Sequence, residues 1–100
     1  MTPRVDLTPE AQADVEEVHA WYAERGVGLA EAFRRSLEQC IANIATHPES
    51  YSVVHRSVRR ALLRRFPYCV FYMVEPQRAL VIGCFHARRD PHAWQLRGAG

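Results

Sequence analysis

The stretch FHARRDPHAW, Phe85 to Trp94, gathers two histidines, two adjacent arginines, an aspartate and a tryptophan. An imidazole such as His86 titrates near neutrality and suits proton transfer in RNA cleavage. Arg88 or Arg89 can then hold a phosphate or a carboxylate in the planar fork of its guanidinium. Asp90-Pro91 favours a turn, and the Asp90 carboxylate can pin one arginine while the other faces a partner. Trp94 suits an interface or a packing role that ties the chain end to the rest of the fold. His86 also has a plainer use, a local hydrogen bond where a strand ends. General acid–base catalysis needs a second group within hydrogen-bond reach, and the sequence sets none beside His86. Tyr68 and Tyr72 are the nearest in kind, although aromatic strand residues more often build core.

Other chemistries find less support. Cys84, His86 and His92 lack a fourth ligand and the paired spacing of a structural zinc site, so no metal is expected. Cys69 has no nucleophile signature around it. The three cysteines, Cys40, Cys69 and Cys84, are odd in number and read as small buried hydrophobes. Gly26-Val27-Gly28 follows no strand and is not a phosphate loop. No cofactor is expected.

Charge carries more information than its net value of +2. There is no lysine. Residues 1–50 hold four arginines against nine acids, a balance of −5, and residues 51–100 hold nine arginines against two acids, a balance of +7. Such segregation points the second half at something anionic. Its densest part is RRALLRRF, Arg59 to Phe66. Read as one strand, this run puts Arg60 and Arg64 on one face and Arg59 and Arg65 on the other. The arginines then form a strip for acids or phosphates, or a charged edge that resists aggregation.

These residues need a scaffold, and the hydrophobic pattern supplies one. Arg4 to Leu7 is a short first strand. Thr8-Pro9-Glu10 opens a helix with a capping hydroxyl, a first-turn proline and an acid at the positive end of the dipole. Ala11, Val15, Val18 and Tyr22 form its apolar stripe. The RGVG sequence breaks it. A second helix spans Leu29 to Thr46 with the stripe Leu29, Phe33, Leu37, Cys40, Ile41 and Ile44, and Pro48 follows. From Val58 onward the period changes to strands: RRALLRRF, PYCVFYMV and ALVIGCFH. Short connections favour an antiparallel meander. The expected fold is α+β, a helical hairpin packed on a curved, mainly antiparallel sheet in the order β-α-α-β-β-β. One domain covers residues 1–100, with 95–100 a flexible tail. No apolar run approaches the ~20 residues of a membrane helix. MTPRVDLTPE has no hydrophobic export region, so a cytoplasmic location is expected.

This order, with LRRFPYCVFY and FHARRDPHAW in it, resembles the ParE/RelE superfamily, the toxins of bacterial type II toxin–antitoxin systems. The resemblance runs from TPEAQADVEEVHAWY through PHAW and is closest to the ParE branch, the plasmid stabilisation proteins. It implies an acidic, ParD-like antitoxin as partner and DNA gyrase as target, with no established catalytic residues. RelE-like relatives cleave mRNA on the ribosome, which makes Arg64, Arg65, His86, Arg88 and Arg89 the catalytic set if this chain does the same. Those nucleases commonly place an arginine in the strand matching YCVFY. Here Cys69 stands in it and cannot stabilise phosphate charge. Target or antitoxin contacts are expected from Arg60, Arg64, Arg65, His86, Arg88, Arg89 and Trp94. A further alternative is a non-toxic chain that binds the antitoxin as a corepressor.

Overall fold

Strand pairing sets the frame. The structure is a computed structural model and describes residues 4–88 and 91–98. The chain runs β1 (Arg4–Leu7), α1 (Pro9–Arg25), α2 (Leu29–Thr46), β2 (Val53–His55), β3 (Val58–Leu62), β4 (Tyr68–Val74), β5 (Arg78–His86) and α3 (His92–Gly98). One sheet has the order β1-β5-β4-β3-β2. Strands β2 to β5 form the antiparallel meander, and β1 joins β5 in parallel. The helical hairpin returns the chain so that β2 runs antiparallel to β1, and the three reversals that follow bring β5 parallel to β1. The fold is α+β, as the sequence implies. Among the described residues no helix is long and apolar enough to cross a membrane.

Local signals explain the helices. The Thr8 hydroxyl accepts from the Ala11 amide at 3.1 Å, and Pro9 opens α1. Gly28 has a φ of 82°, in the left-handed region where glycine carries no Cβ penalty, and α2 starts directly after it. Helix α2 buries Phe33, Leu37, Cys40 and Ile44, which lie on the stripe read from the sequence.

The sheet is apolar on both sides, so it has two cores. Val70, Tyr72, Val81 and Cys84 meet the hairpin together with Ala11, Phe33 and Ile44. Cys69, Phe71, Ile82 and Phe85 face the other way with Val58 and Trp94. Strands covered on both faces read as continuous apolar runs, which is what PYCVFYMV and ALVIGCFH are. Helix α3 covers the second face. The Trp94 ring stacks on Phe71 at 4.5 Å with 16° between planes and is 7% exposed. A Cβ on Gly98 would lie 2.5 Å from a Val58 methyl, so glycine is needed there for close approach. Of the tail expected at 95–100, Gln95–Gly98 form the end of α3 over the second apolar face, and 99–100 lie outside the described residues.

The register of β5 creates a problem that two charged side chains solve. Between Phe71 and Tyr72 the pairing slips, so that Phe71 pairs with Gly83 and Tyr72 with Val81, leaving Ile82 as the extra residue. Strand β1 reaches only to Val81, whose carbonyl accepts from the Thr8 amide at 2.9 Å. Beyond it the edge of β5 has no strand beside it. Asp14 of α1 takes the Cys84 amide at 3.0 Å, and Arg97 of α3 donates to the Ile82 carbonyl at 3.1 Å. The two then pair with each other at 2.5 Å, with Asp14 15% exposed and Arg97 29%. The Arg97 guanidinium also lies 4.6 Å over the Phe85 ring. A Cβ on Gly83 would sit 2.7 Å from that ring and 3.0 Å from Arg97, so the bulge needs glycine for space.

Truncating either partner leaves a half-buried charge and an unpaired backbone group. Asp14→Ala and Arg97→Ala should each lower stability by about 1–3 kcal/mol in urea titrations. The double mutant should cost clearly less than their sum, with a coupling of about 0.5–3 kcal/mol. Additive losses would show that the pair is not a unit.

Candidate functional site

Two loops meet at one end of the sheet. Strand β3 ends at Leu62, and the Leu63 amide closes back onto the Tyr68 carbonyl at 2.9 Å. Leu63 is buried, Arg64 and Arg65 are exposed, and Phe66 is half-buried among Tyr22 and Phe33, 5.1 and 5.7 Å away. The Arg64 carbonyl accepts from the Ser36 hydroxyl of α2 at 2.6 Å, which ties this loop to the hairpin. Arg65 has a φ of 71°, a left-handed conformation uncommon for a residue with a side chain. The loop after β5 lies against the first: the Ala87 amide donates to the Pro67 carbonyl at 2.8 Å. The Arg88 amide donates to His86 Nδ1 at 3.1 Å, so His86 does end its strand with a local bond. Arg88 is exposed.

The arginines fall into two groups. Some are engaged within the fold. Arg59 donates to the Glu49 and Tyr51 carbonyls at 3.0 and 2.6 Å, Arg78 pairs with Asp6 and Glu75, and Arg97 holds Asp14. Others are open. Arg35 of α2 joins Arg64 and Arg65 around a groove of about 200 Å³, with Ala32, Ser36, Gln39 and Phe66 completing its lining.

The structure separates residues that the sequence had grouped. Arg60 does not share a face with Arg64. It lies opposite Phe71 on the side away from the hairpin, whereas Arg64 is beyond the strand and beside α2. The alternation assumed for RRALLRRF stops at Leu62, because the chain turns there. Trp94 is buried against Phe71, so its ring is used in packing. Arg89 and Asp90 lie outside the described residues, and with Asp90 the salt bridge expected to pin one of Arg88 and Arg89. Arg35 was missed, since on α2 it reads as an ordinary solvated helix position.

His86 has one titratable neighbour of interest. Its ring lies 5.3 Å from that of Tyr68, beside a cavity of about 120 Å³. The lining there contains Asp14, Glu17, Tyr68 and His86 and no arginine among the described residues. Asp14 is neutralised by Arg97, but Glu17 remains and the lining offers no arginine, which makes this a poor seat for a phosphate. Among the described residues no group of three histidine, cysteine or acidic side chains is placed to hold a metal.

The family described as ParE toxin of type II toxin–antitoxin system, parDE, matches residues 5–91. The chain belongs to the ParE toxin family. It is a type II toxin of the ParE/RelE kind. Two solved structures share its fold. One is the chromosomal ParDE system from P. aeruginosa, with a TM-score of 0.70, 14% identity and coverage of 85% of this chain and 96% of that one. The other is the toxin–antitoxin complex RelBE2 from Mycobacterium tuberculosis, with a TM-score of 0.63, 14% identity and coverage of 86% and 92%. No curated protein gives a significant match.

The buried titratable groups of this ParE-family toxin are kept neutral. Burial raises the Cys84 thiol to about 12, with Asp14 adding to the effect, and raises Cys40 to about 11. Burial also raises Cys69. Neutral, buried thiols make no nucleophile. Tyr72 is raised by burial to about 12, and its hydroxyl donates to the Pro48 carbonyl at 2.5 Å. A folded pKa above the unfolded value of 10.0 gives stability that is full below pH 10 and lost as pH climbs towards 12. Tyr72→Phe should therefore cost about 1 kcal/mol at neutral pH and flatten the alkaline loss of stability. An unchanged alkaline limb in stability-against-pH titrations would rule out this role for Tyr72.

Proposed function

We propose that this chain arrests growth by binding a large cellular target, DNA gyrase, and that a cognate acidic antitoxin of ParD kind neutralises it. The observation that carries the reading is the reach of the ParE match. It runs from residue 5 to residue 91 and so takes in both loops of the cationic end. The loop from His86 to Pro91, with Arg88 exposed on it, is the proposed target contact, and Arg64 and Arg65 stand beside it. A solved ParDE system of the same fold supports an antitoxin as partner. The cytoplasm, where gyrase works, is the location this reading requires.

A second reading is ribosome-dependent mRNA cleavage, favoured by the meeting of His86 and Tyr68. Binding is preferred over cutting because the cavity at that pair holds Glu17 and no arginine among the described residues, its other carboxylate, Asp14, being taken up by Arg97. Of the arginines in that catalytic set, Arg64 and Arg65 line a different groove, and Arg88 is exposed on the loop after His86.

Purified gyrase decides between them. Refolded toxin should inhibit supercoiling or trap cleaved DNA, and added antitoxin should relieve it. Arg88→Ala with Arg89→Ala should weaken inhibition by about tenfold or more without changing the circular dichroism spectrum. A growth-arresting protein that leaves gyrase untouched but cuts ribosome-bound mRNA at fixed positions would replace this reading with the second. Expression without any growth defect would leave the corepressor role.

A further inference from the structure

The three arginines of the groove between α2 and the β3–β4 loop are set apart by sharing one lining that contains no acid. Arg4, Arg25, Arg34, Arg78 and Arg97 each lie within ion-pair distance of a carboxylate, and Arg59 is bound by two carbonyls. Among the described residues, Arg35, Arg56, Arg60, Arg64, Arg65 and Arg88 lie in no ion pair with a carboxylate, and of these Arg35, Arg64 and Arg65 share one groove of about 200 Å³. Clustered like charges repel and gain nothing for the fold. Arg65 adds a backbone cost of about 1–2 kcal/mol, because it holds a φ of 71° where glycine would sit without penalty. Three open cations on a fixed frame, one on strained backbone, suit a ligand more than they suit stability.

We infer that this groove is the seat of a carboxylate-rich, amphipathic peptide segment. The inference rests on the toxin–antitoxin reading and identifies where an acidic antitoxin segment lies. Its chemistry follows from the lining. Arg35, Arg64 and Arg65 offer guanidinium forks that match carboxylates, and Ser36 and Gln39 add polar contacts along α2. Ala32 and Phe66 form an apolar part against which an aliphatic side chain can pack. A nucleic-acid strand fits less well. Phe66 is half-buried in a cluster of rings, so it gives an apolar wall and not an exposed face for base stacking. The β3–β4 loop is hydrogen-bonded through Pro67 to Ala87, the residue before Arg88. An acidic segment in the groove therefore ends beside the proposed target loop and can mask it.

Fluorescence anisotropy tests this with a short labelled peptide of alternating glutamate and leucine, its glutamine counterpart and an oligouridine of similar length. The glutamate peptide should bind the intact toxin, more weakly as salt rises, and the glutamine peptide at least about tenfold less tightly. R35A/R64A/R65A should weaken glutamate-peptide binding by about tenfold or more. R4A/R25A/R56A, which removes equal charge elsewhere, should change it by less than about twofold. Arg65→Gly keeps the test alive if the triple variant does not fold. It should be at least as stable as the parent in urea, yet bind the glutamate peptide several-fold less well. Equal losses in both triple variants, equal binding of the glutamine peptide, or a groove-dependent preference for oligouridine would each overturn the assignment. Gyrase inhibition by the intact toxin is read separately, so failure of the groove and failure of the toxin reading remain distinct.

Discussion

The ion pair between Asp14 and Arg97 holds this fold closed. Strand β1 is short, and among the described residues it leaves the outer edge of β5 without a strand partner from Ile82 onward. A bare edge carries unpaired backbone groups and invites pairing with another chain. Here one carboxylate and one guanidinium take the place of the missing strand by binding the Cys84 amide and the Ile82 carbonyl. Because Asp14 belongs to α1 and Arg97 to α3, the same contact clamps the covers of both sheet faces around that edge. The end of β5 is thereby fixed in position, and with it His86.

The helical half was legible in the sequence because its signals are local. Thr8-Pro9 and RGVG mark helix ends through capping and backbone freedom, and a 3.6-residue stripe marks the buried face. The strands β3 to β5 were legible for the same reason. The cover of the second face was not. Continuous apolar runs announce burial on both sides of a strand but do not say what provides it, and the short α3 offers only Trp94 as a clue. Strand β2, three residues long, carries no period to read. The Asp14–Arg97 contact spans 83 residues and has no local signature.

The candidate site was legible in composition and less so in arrangement. The excess of arginine in residues 51–100 was visible, but it conflates two uses. Arg59, Arg78 and Arg97 neutralise or bind groups inside the fold. Arg64, Arg65 and Arg88 stand open at one end, and Arg35 of the acidic half joins them only through the packing of α2. Extending strand alternation past Leu62 put Arg60 and Arg64 together, and the turn at Leu63 separates them. The proposed site thus rests on which arginines the fold leaves without acids, a property of tertiary structure that charge counting cannot resolve.

That division is open to one direct measurement: the arginine guanidinium N–H signals of the isotope-labelled toxin by NMR, recorded with and without its antitoxin. The account predicts that Arg35, Arg64 and Arg65 shift and become protected from solvent exchange on binding. Arg59, Arg78 and Arg97 should be protected already and barely move. Shifts centred on the engaged arginines, with the three groove signals unchanged, would contradict it.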